Sequence, residues 1–144
     1  MSIKENIEHY IKSIAEPKRT DLYTLHELIL NILPSCKLWF LDGKDDTGKI
    51  VSNPNIGYGF YTIHYADKKT KVFYRIGLSA NSSGISIYIL GIDDKEHLKK
   101  AYGDSIGKAS VTGYCIKFKK LSDINLAILE DAIRFGFEYN HDKK

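Results

Sequence analysis

KVFYRIGLSANSSGISIYIL, residues 71–90, constrains the fold more than any other part of the chain. Apolar and polar residues alternate over its first half, and a two-residue period is typical of a β-strand with one buried face. The alternation predicts an inward-facing set of Val72, Tyr74, Ile76, Leu78 and Ala80. The set on the opposite face is then Lys71, Phe73, Arg75, Gly77 and Ser79. Because a short, turn-rich connection leads into the apolar run at 85–90, we predict an antiparallel hairpin.

Three further segments have the character of strands: 36–41, 57–66 and 110–119. They are rich in aromatic and β-branched residues, which favour extended structure. The connections that follow the strands are short and contain turn-forming residues, as at 67–70. Together with the two segments at 71–90, these patterns predict a roughly five-stranded, mainly antiparallel sheet.

Two amphipathic helices precede the strands and form a predicted helical hairpin over residues 1–34. Ser2 and Glu5 have the spacing of a capping box at the start of the first helix. Apolar residues recur at helical spacing in both segments. Pro17 ends the first helix and Pro34 ends the second.

Further helices follow and complete the predicted fold. A short helix is expected at 94–102, and a C-terminal helix at 121–140 with Ser122 as its N-cap. The chain shows no internal repeat and no linker. We therefore predict a single α+β domain over residues 1–144, in which the helical hairpin and the C-terminal helix pack on one face of a sheet spanning 36–119.

The composition predicts a cytoplasmic protein. The chain has 144 residues and a formal net charge of +3, which is mild for a nucleic-acid-binding protein. The N-terminus lacks the apolar core of a secretory signal, and no apolar run is long enough to span a bilayer. We therefore expect no nucleic-acid partner and no membrane partner, and we expect Cys36 and Cys115 to be reduced.

No motif identifies a catalytic residue, a metal ligand or a cofactor site. Residues 43–50, GKDDTGKI, approach a phosphate-binding loop, but Ile50 replaces the Ser or Thr that would ligate magnesium. The five histidines show no metal-ligand spacing, and no GxSxG motif is present. The motifs therefore predict neither a catalytic residue nor a bound cofactor.

The outer face of the predicted sheet, away from the helices, is the best candidate for a binding site. Its aromatic rings and cationic groups suit a small anionic ligand or a partner protein, through charge-assisted hydrogen bonds and cation–π contacts. The candidate ligand-binding residues are Trp39, Tyr58, Tyr61, His64, Arg75, Tyr88, Lys108 and Lys117. A solvated sheet face that carries amphipathic side chains is the alternative interpretation.

These residues favour a small binding protein that is not an enzyme. An enzyme with His64 as general base is an alternative. A concave pocket that holds His64 and a nearby carboxylate would favour the alternative, whereas an imidazole that points into the apolar core would exclude it.

Several segments together resemble a known family. They are IGYGFY at 56–61, YAD at 65–67, RIGL at 75–78, IYI at 87–89, and GK at 107–108 followed by KFKKLSDIN at 117–125. The chain resembles the YdhG-like family, which is defined by a domain of unknown function. The resemblance implies a free-standing, cytosolic α+β domain with no established catalytic residues. Some relatives are proposed to be frataxin-like iron chaperones, so the resemblance also implies iron as a possible cargo.

Overall fold

The computed structural model describes residues 2–139 and has an α+β fold. The helices of this part of the chain are α1 (Ile3–Ser13), α2 (Lys18–Ile32), α3 (His97–Tyr102) and α4 (Leu126–Glu138). The strands are β1 (Leu38–Leu41), β2 (Asn55–Tyr58), β3 (Tyr61–His64), β4 (Thr70–Phe73), β5 (Ile76–Asn81), β6 (Gly84–Ile89), β7 (Ser110–Thr112) and β8 (Cys115–Phe118).

The strands form two antiparallel sheets. The main sheet has six strands in the order β1-β2-β5-β6-β8-β7, and β3 pairs with β4 in a separate two-stranded sheet. All pairs of neighbouring strands in the main sheet are antiparallel. The predicted α+β class and antiparallel pairing are confirmed, but the predicted count of five strands is wrong.

Two of the predicted strands are each divided in two by a glycine. The segment 57–66 divides between β2 and β3 at Gly59, whose φ is +71°. The segment 110–119 divides between β7 and β8 at Gly113, whose φ is +55°. Glycine adopts positive φ without steric cost, so the chain turns at these positions instead of continuing as one strand.

The segment 71–80 is also divided, although it has no such glycine at the break. Its first part is β4, which pairs with β3, and its second part is β5, which lies in the middle of the main sheet. Val72, predicted to face inward, is 46% exposed in β4. The prediction fails because β4 has left the sheet that the helices cover.

The inner face of the main sheet lies under α1, α2 and α4 and holds the apolar core. Ile76 and Leu78 of β5 pair with Ile89 and Ile87 of β6, and all four side chains are fully buried. Gly136 of α4 approaches so closely that an added Cβ would lie 2.6 Å from Cγ2 of Ile89. The predicted inward orientation of Ile76 and Leu78 is confirmed.

The N-terminal helical hairpin has the predicted termini. The Ser2 hydroxyl accepts from the Glu5 N–H while the Glu5 carboxylate accepts from the Ser2 N–H, so the capping box is present. The first helix, α1, ends before Pro17, and α2 ends before Pro34. Both prolines therefore limit helices as expected.

The C-terminal helix begins later than predicted. Asn125 is its N-cap and accepts from the N–H groups of Ala127 and Ile128. Ser122 lies in a preceding turn of 3-10 helix, Leu121–Asp123. The predicted end at residue 140 lies outside the described residues, and the short helix predicted at 94–102 begins only at His97.

Candidate ligand-binding face

The outer face of the main sheet is shaped by a break in the alternation at Tyr74 and Arg75, which lie between β4 and β5. Tyr74 turns to the outer face and lies over two glycines. A Cβ added at Gly57 would lie 2.7 Å from Cβ of Tyr74, and one added at Gly77 would lie 2.6 Å from its Cε1. The prediction that Tyr74 faces the helices is therefore wrong, and the missing side chains at both glycines make room for its ring.

Five aromatic side chains lie side by side at this end of the outer face. We call them the aromatic band: Trp39, Tyr61, Phe73, Tyr74 and Tyr88. The ring centroids of Trp39 and Phe73 are 6.0 Å apart in an edge-on contact, and those of Phe73 and Tyr74 are 4.3 Å apart. Trp39 pairs with Gly57 and Tyr88 pairs with Gly77. Since Gly57 and Gly77 are themselves paired under the Tyr74 ring, Trp39 and Tyr88 lie on opposite sides of Tyr74. Tyr61 and Tyr88 both lie close enough to Tyr74 to influence its pKa. The band therefore joins the main sheet to the β3–β4 hairpin.

Two lysines place ammonium groups over rings of the band. Nζ of Lys37 is 4.7 Å from the Trp39 ring centroid, and Nζ of Lys71 is 5.4 Å from that of Phe73. Both distances are within the range of a cation–π contact. Both lysines are exposed, so their charges remain accessible to an anion that stacks on the same rings.

Arg75 lies on the buried side of the band, between Tyr61 and α4. It is 9% exposed, and its Nη1 donates to the Gly136 carbonyl at 2.8 Å, in the last turn of α4. A cation at the C-terminal end of a helix is favoured by the helix dipole. Cζ of Arg75 also lies 5.6 Å from the Tyr61 ring centroid. The predicted outward orientation of Arg75 is wrong, and the side chain instead ties Tyr61 to α4.

Tyr58 belongs to the core and lies apart from the band. It pairs with Ile76, is fully buried, and places its hydroxyl 2.6 Å from Nδ1 of His26 on α2. The alternation in β2 puts Gly57 on the outer face, and Tyr58 is therefore on the inner face. The structure thus separates this candidate residue from the others.

Two predicted lysines lie further along the outer face or beyond it. Lys117 pairs with Ser86, which precedes Tyr88 by two positions on β6, so Lys117 and Tyr88 are on the same face. Lys117 is exposed. Lys108 is also exposed, in the loop that leads into the edge strand β7. The band thus brings together Trp39, Tyr61 and Tyr88, with Lys117 as a neighbour.

A groove opens beside the band, and it contains His64. We call it the hairpin groove; its volume is about 580 Å³, and it lies between β3 and residues 90–93. Its lining is Tyr61, Thr62, Ile63, His64, Leu90, Gly91, Ile92, Asp93 and Tyr114. The Asp93 carboxylate accepts from the Tyr139 hydroxyl at 3.0 Å. His64 is exposed and does not point into the core. It therefore meets the condition set for the enzyme alternative, a concave pocket that also holds a carboxylate, here that of Asp93.

Burial raises the pKa of two tyrosines of the band, Tyr74 and Tyr61. It raises the pKa of Tyr74 to about 12, with smaller contributions from Tyr88 and Tyr61. Burial also raises the pKa of Tyr61, although the nearby Arg75 acts in the opposite direction. At neutral pH these hydroxyls are therefore neutral hydrogen-bond donors. None of the five residues of the band is acidic, and the exposed charges that lie over its rings are those of Lys37 and Lys71.

The candidate residues predicted from the sequence do not include five residues of this region: Lys37, Lys71, Phe73, Tyr74 and Asp93. Lys37 precedes Trp39 by two positions, and this is the same-face spacing of a strand, so the sequence carried a usable signal. Asp93 enters the hairpin groove from the segment after β6. No local pattern could place it opposite β3, because that juxtaposition depends on where the β3–β4 hairpin packs.

Comparisons with other proteins leave the family resemblance as a prediction. No protein-family model, curated protein or solved structure matches the chain. Within residues 2–139, no three or more His, Cys, Asp and Glu side chains are grouped to hold a metal ion. In the same residues, no helix has both the length and the apolar character to cross a membrane. The role as an iron chaperone, implied by the YdhG-like resemblance, is likewise untested.

Proposed function

We propose that this protein is a non-enzymatic binding protein for a small aromatic anion, which it holds on the aromatic band. The observation that supports this proposal best is the pairing of cations with rings: Lys37 lies over Trp39, and Lys71 lies over Phe73. A planar anion that stacks on the Trp39 or the Phe73 ring replaces the ammonium group over that ring, and the displaced ammonium group pairs with the anion at its edge.

The energetics of such a complex follow from the surroundings of the two lysines. Neither ammonium group makes an ion pair with a carboxylate among the described residues. An incoming carboxylate therefore breaks no ion pair, although each ammonium group exchanges its cation–π contact for the carboxylate. A cation–π or charge-assisted contact at an exposed site contributes roughly 0.5–1 kcal/mol. Two such contacts together give an affinity difference of about tenfold between an anion and its neutral counterpart.

Naphthoate is a suitable probe, with naphthalenemethanol as the uncharged counterpart. Trp39 is the only tryptophan of the chain, so its fluorescence and its single indole N–H resonance report directly on the band. We expect naphthoate to perturb both signals and to bind about tenfold more tightly than the alcohol. The Lys37→Met/Lys71→Met variant should lose that preference, and added salt should weaken binding by the wild-type protein.

The matched control is Lys99→Met/Lys100→Met, which removes two charges from α3 instead. It should bind naphthoate like the wild-type protein. Equal affinity for the acid and the alcohol would refute a site for anions. An indole resonance that does not move at saturating naphthoate would refute the band as the site. A protein partner is a separate possibility, which binding of naphthoate alone would not support.

General base catalysis in the hairpin groove is a second candidate function. The observation that favours it is the shared pocket of His64 and Asp93. A neutral imidazole beside a carboxylate is a common arrangement for proton abstraction. We expect hydrolysis of a generic activated ester, nitrophenyl acetate, to be lost in His64→Gln and retained in His9→Gln, whose histidine is exposed on α1. The same rate in both variants would remove this candidate.

A further inference from the structure

A second concave site lies on the helical side of the molecule, away from the aromatic band. It is a cleft of about 300 Å³ between α1, α2 and β1, which we call the helical cleft. Its lining is Lys4, Ile7, Glu8, Ile11, Lys12, Tyr23, His26, Glu27, Leu30 and Leu38. The isoleucines are buried, the leucines are half-buried, and the charged residues are exposed. The cleft therefore has an apolar floor and a charged rim, as ligand sites commonly do.

The proton positions at the floor follow from one short hydrogen bond. Nδ1 of His26 is 2.6 Å from the hydroxyl of Tyr58. Tyr58 is fully buried, and among residues 2–139 its hydroxyl has no other hydrogen-bond partner. A buried hydroxyl seldom leaves its proton without an acceptor, so Tyr58 donates to Nδ1. The remaining proton of the neutral imidazole is then on Nε2, on the side of the ring away from Tyr58.

Two carboxylates, those of Glu8 and Glu27, line the helical cleft together with His26. Burial lowers the pKa of His26, whereas Glu27 and Glu8 act in the opposite direction, and neither lysine of the rim contributes. Glu8 on α1 makes no ion pair within the described residues. Glu27 on α2 interacts with the Tyr23 hydroxyl. Two carboxylates from facing helices therefore flank the apolar floor, while Lys4 and Lys12 lie one turn to either side of Glu8.

We propose that the helical cleft binds a small ligand with an apolar body and a protonated amine. The apolar body packs on Ile7, Ile11 and Leu30, and the ammonium group lies between Glu8 and Glu27. His26 stays neutral when the ligand is bound, because its Nδ1 holds the Tyr58 proton. Protonation of His26 would deprive the buried Tyr58 hydroxyl of its acceptor and would repel the ammonium group.

Three probes of the same shape test the charge requirement: phenylethylamine, phenylethanol and phenylpropionate. They are titrated into the wild-type protein while amide resonances are followed. We expect the amine to shift resonances around residues 7–11 and 26–30, with an affinity about tenfold above those of the alcohol and the acid. The affinity should fall when acid protonates His26, which occurs at a lower pH than for an ordinary histidine because burial lowers the pKa of His26.

Glu8→Gln/Glu27→Gln is the decisive variant, because both residues are exposed and the protein should fold normally. It should bind the amine about tenfold more weakly, with an unchanged melting temperature. Glu96→Gln, at the exposed start of α3, is the matched control and should bind as the wild-type protein does. Equal binding of the amine and the alcohol, shifts confined to the aromatic band, or no shift at millimolar amine would each overturn the proposal.

Discussion

The two faces of the main sheet share their strands but differ in what fills them. On the inner face, Ile76, Leu78 and Ile87 pack against helices and are fully buried. On the outer face, Gly57 and Gly77 leave a shallow surface on which the Tyr74 ring lies. The inner face stabilises the fold through the apolar area that it removes from water. The structure of the outer face is set by the close packing of a few rings.

This difference implies that stability and ligand binding can be changed separately. Loss of a methylene group on the inner face weakens the whole fold, since that face is the core. Loss of a ring at the edge of the outer face removes binding surface and little buried area. Substitutions at neighbouring positions of one strand should therefore have very different effects.

The largest expected effect distinguishes Ile87 from its neighbour Tyr88 on β6. Ile87→Ala leaves a cavity in the core and should lower the free energy of unfolding by about 2–5 kcal/mol. Tyr88→Ala alters a half-buried ring and should cost less than about 1 kcal/mol. Urea denaturation of the two variants measures both values. Similar losses of unfolding free energy in the two variants would mean that the two faces contribute equally to stability.

The next effect concerns Arg75, the buried cation beneath the band. Arg75→Met removes the donor to the Gly136 carbonyl, and we expect a loss of about 1.5–3 kcal/mol, as for hydrogen bonds from charged groups. Lys71→Met, on the exposed side of the same band, should leave stability nearly unchanged. An Arg75→Met variant as stable as wild type would show that Arg75 does not tie the band to α4.

Close packing of Tyr74 on glycine predicts a smaller loss of stability. Gly77→Ala would bring a Cβ to 2.6 Å from Cε1 of Tyr74, and overpacking of this kind costs about 1–3 kcal/mol. The smaller side chain of Tyr74→Leu should relieve the overlap. The double variant should therefore be more stable than the sum of the single changes predicts, as a double-mutant cycle can measure. Strict additivity would contradict the contact.

The smallest effect is a dependence of stability on high pH. Unfolded tyrosine ionises near pH 10, whereas native Tyr74 keeps its proton up to a pKa of about 12. Between these values the unfolded state binds fewer protons than the native state, so the free energy of unfolding decreases as the pH rises. Tyr74→Phe should show a shallower decrease between about pH 10 and 11. An unchanged slope would mean that Tyr74 titrates normally.

The side chains of the inner face could be predicted from the sequence, because apolar and polar residues alternate along a strand whose one face is covered by helices. Ile76 and Leu78 were placed correctly for that reason. The glycines at 59 and 113 are signals of a strand break that a stricter interpretation of the sequence could have used. The break at Tyr74 and Arg75 has no such signal, since the local alternation continues through it.

Long-range packing accounts for the remaining differences between the predicted and observed sites. Tyr58 lies in the same aromatic stretch of sequence as Tyr61 of the band, and only the register of β2 assigns it to the core. His26 faces it from α2, and the two positions lie far apart in the sequence. Neither the pairing of these side chains nor the position of Asp93 beside β3 follows from any local pattern.

The most direct test of the aromatic band is the location of bound naphthoate by intermolecular nuclear Overhauser effects. We predict contacts from the naphthalene protons to the rings of Trp39 and Phe73, which are only half-buried. Contacts to Ile63 and Ile92 instead would place the ligand in the hairpin groove. Contacts to Ile7 and Leu30 would place it in the helical cleft, and either result would contradict the assignment of the anion site to the outer face.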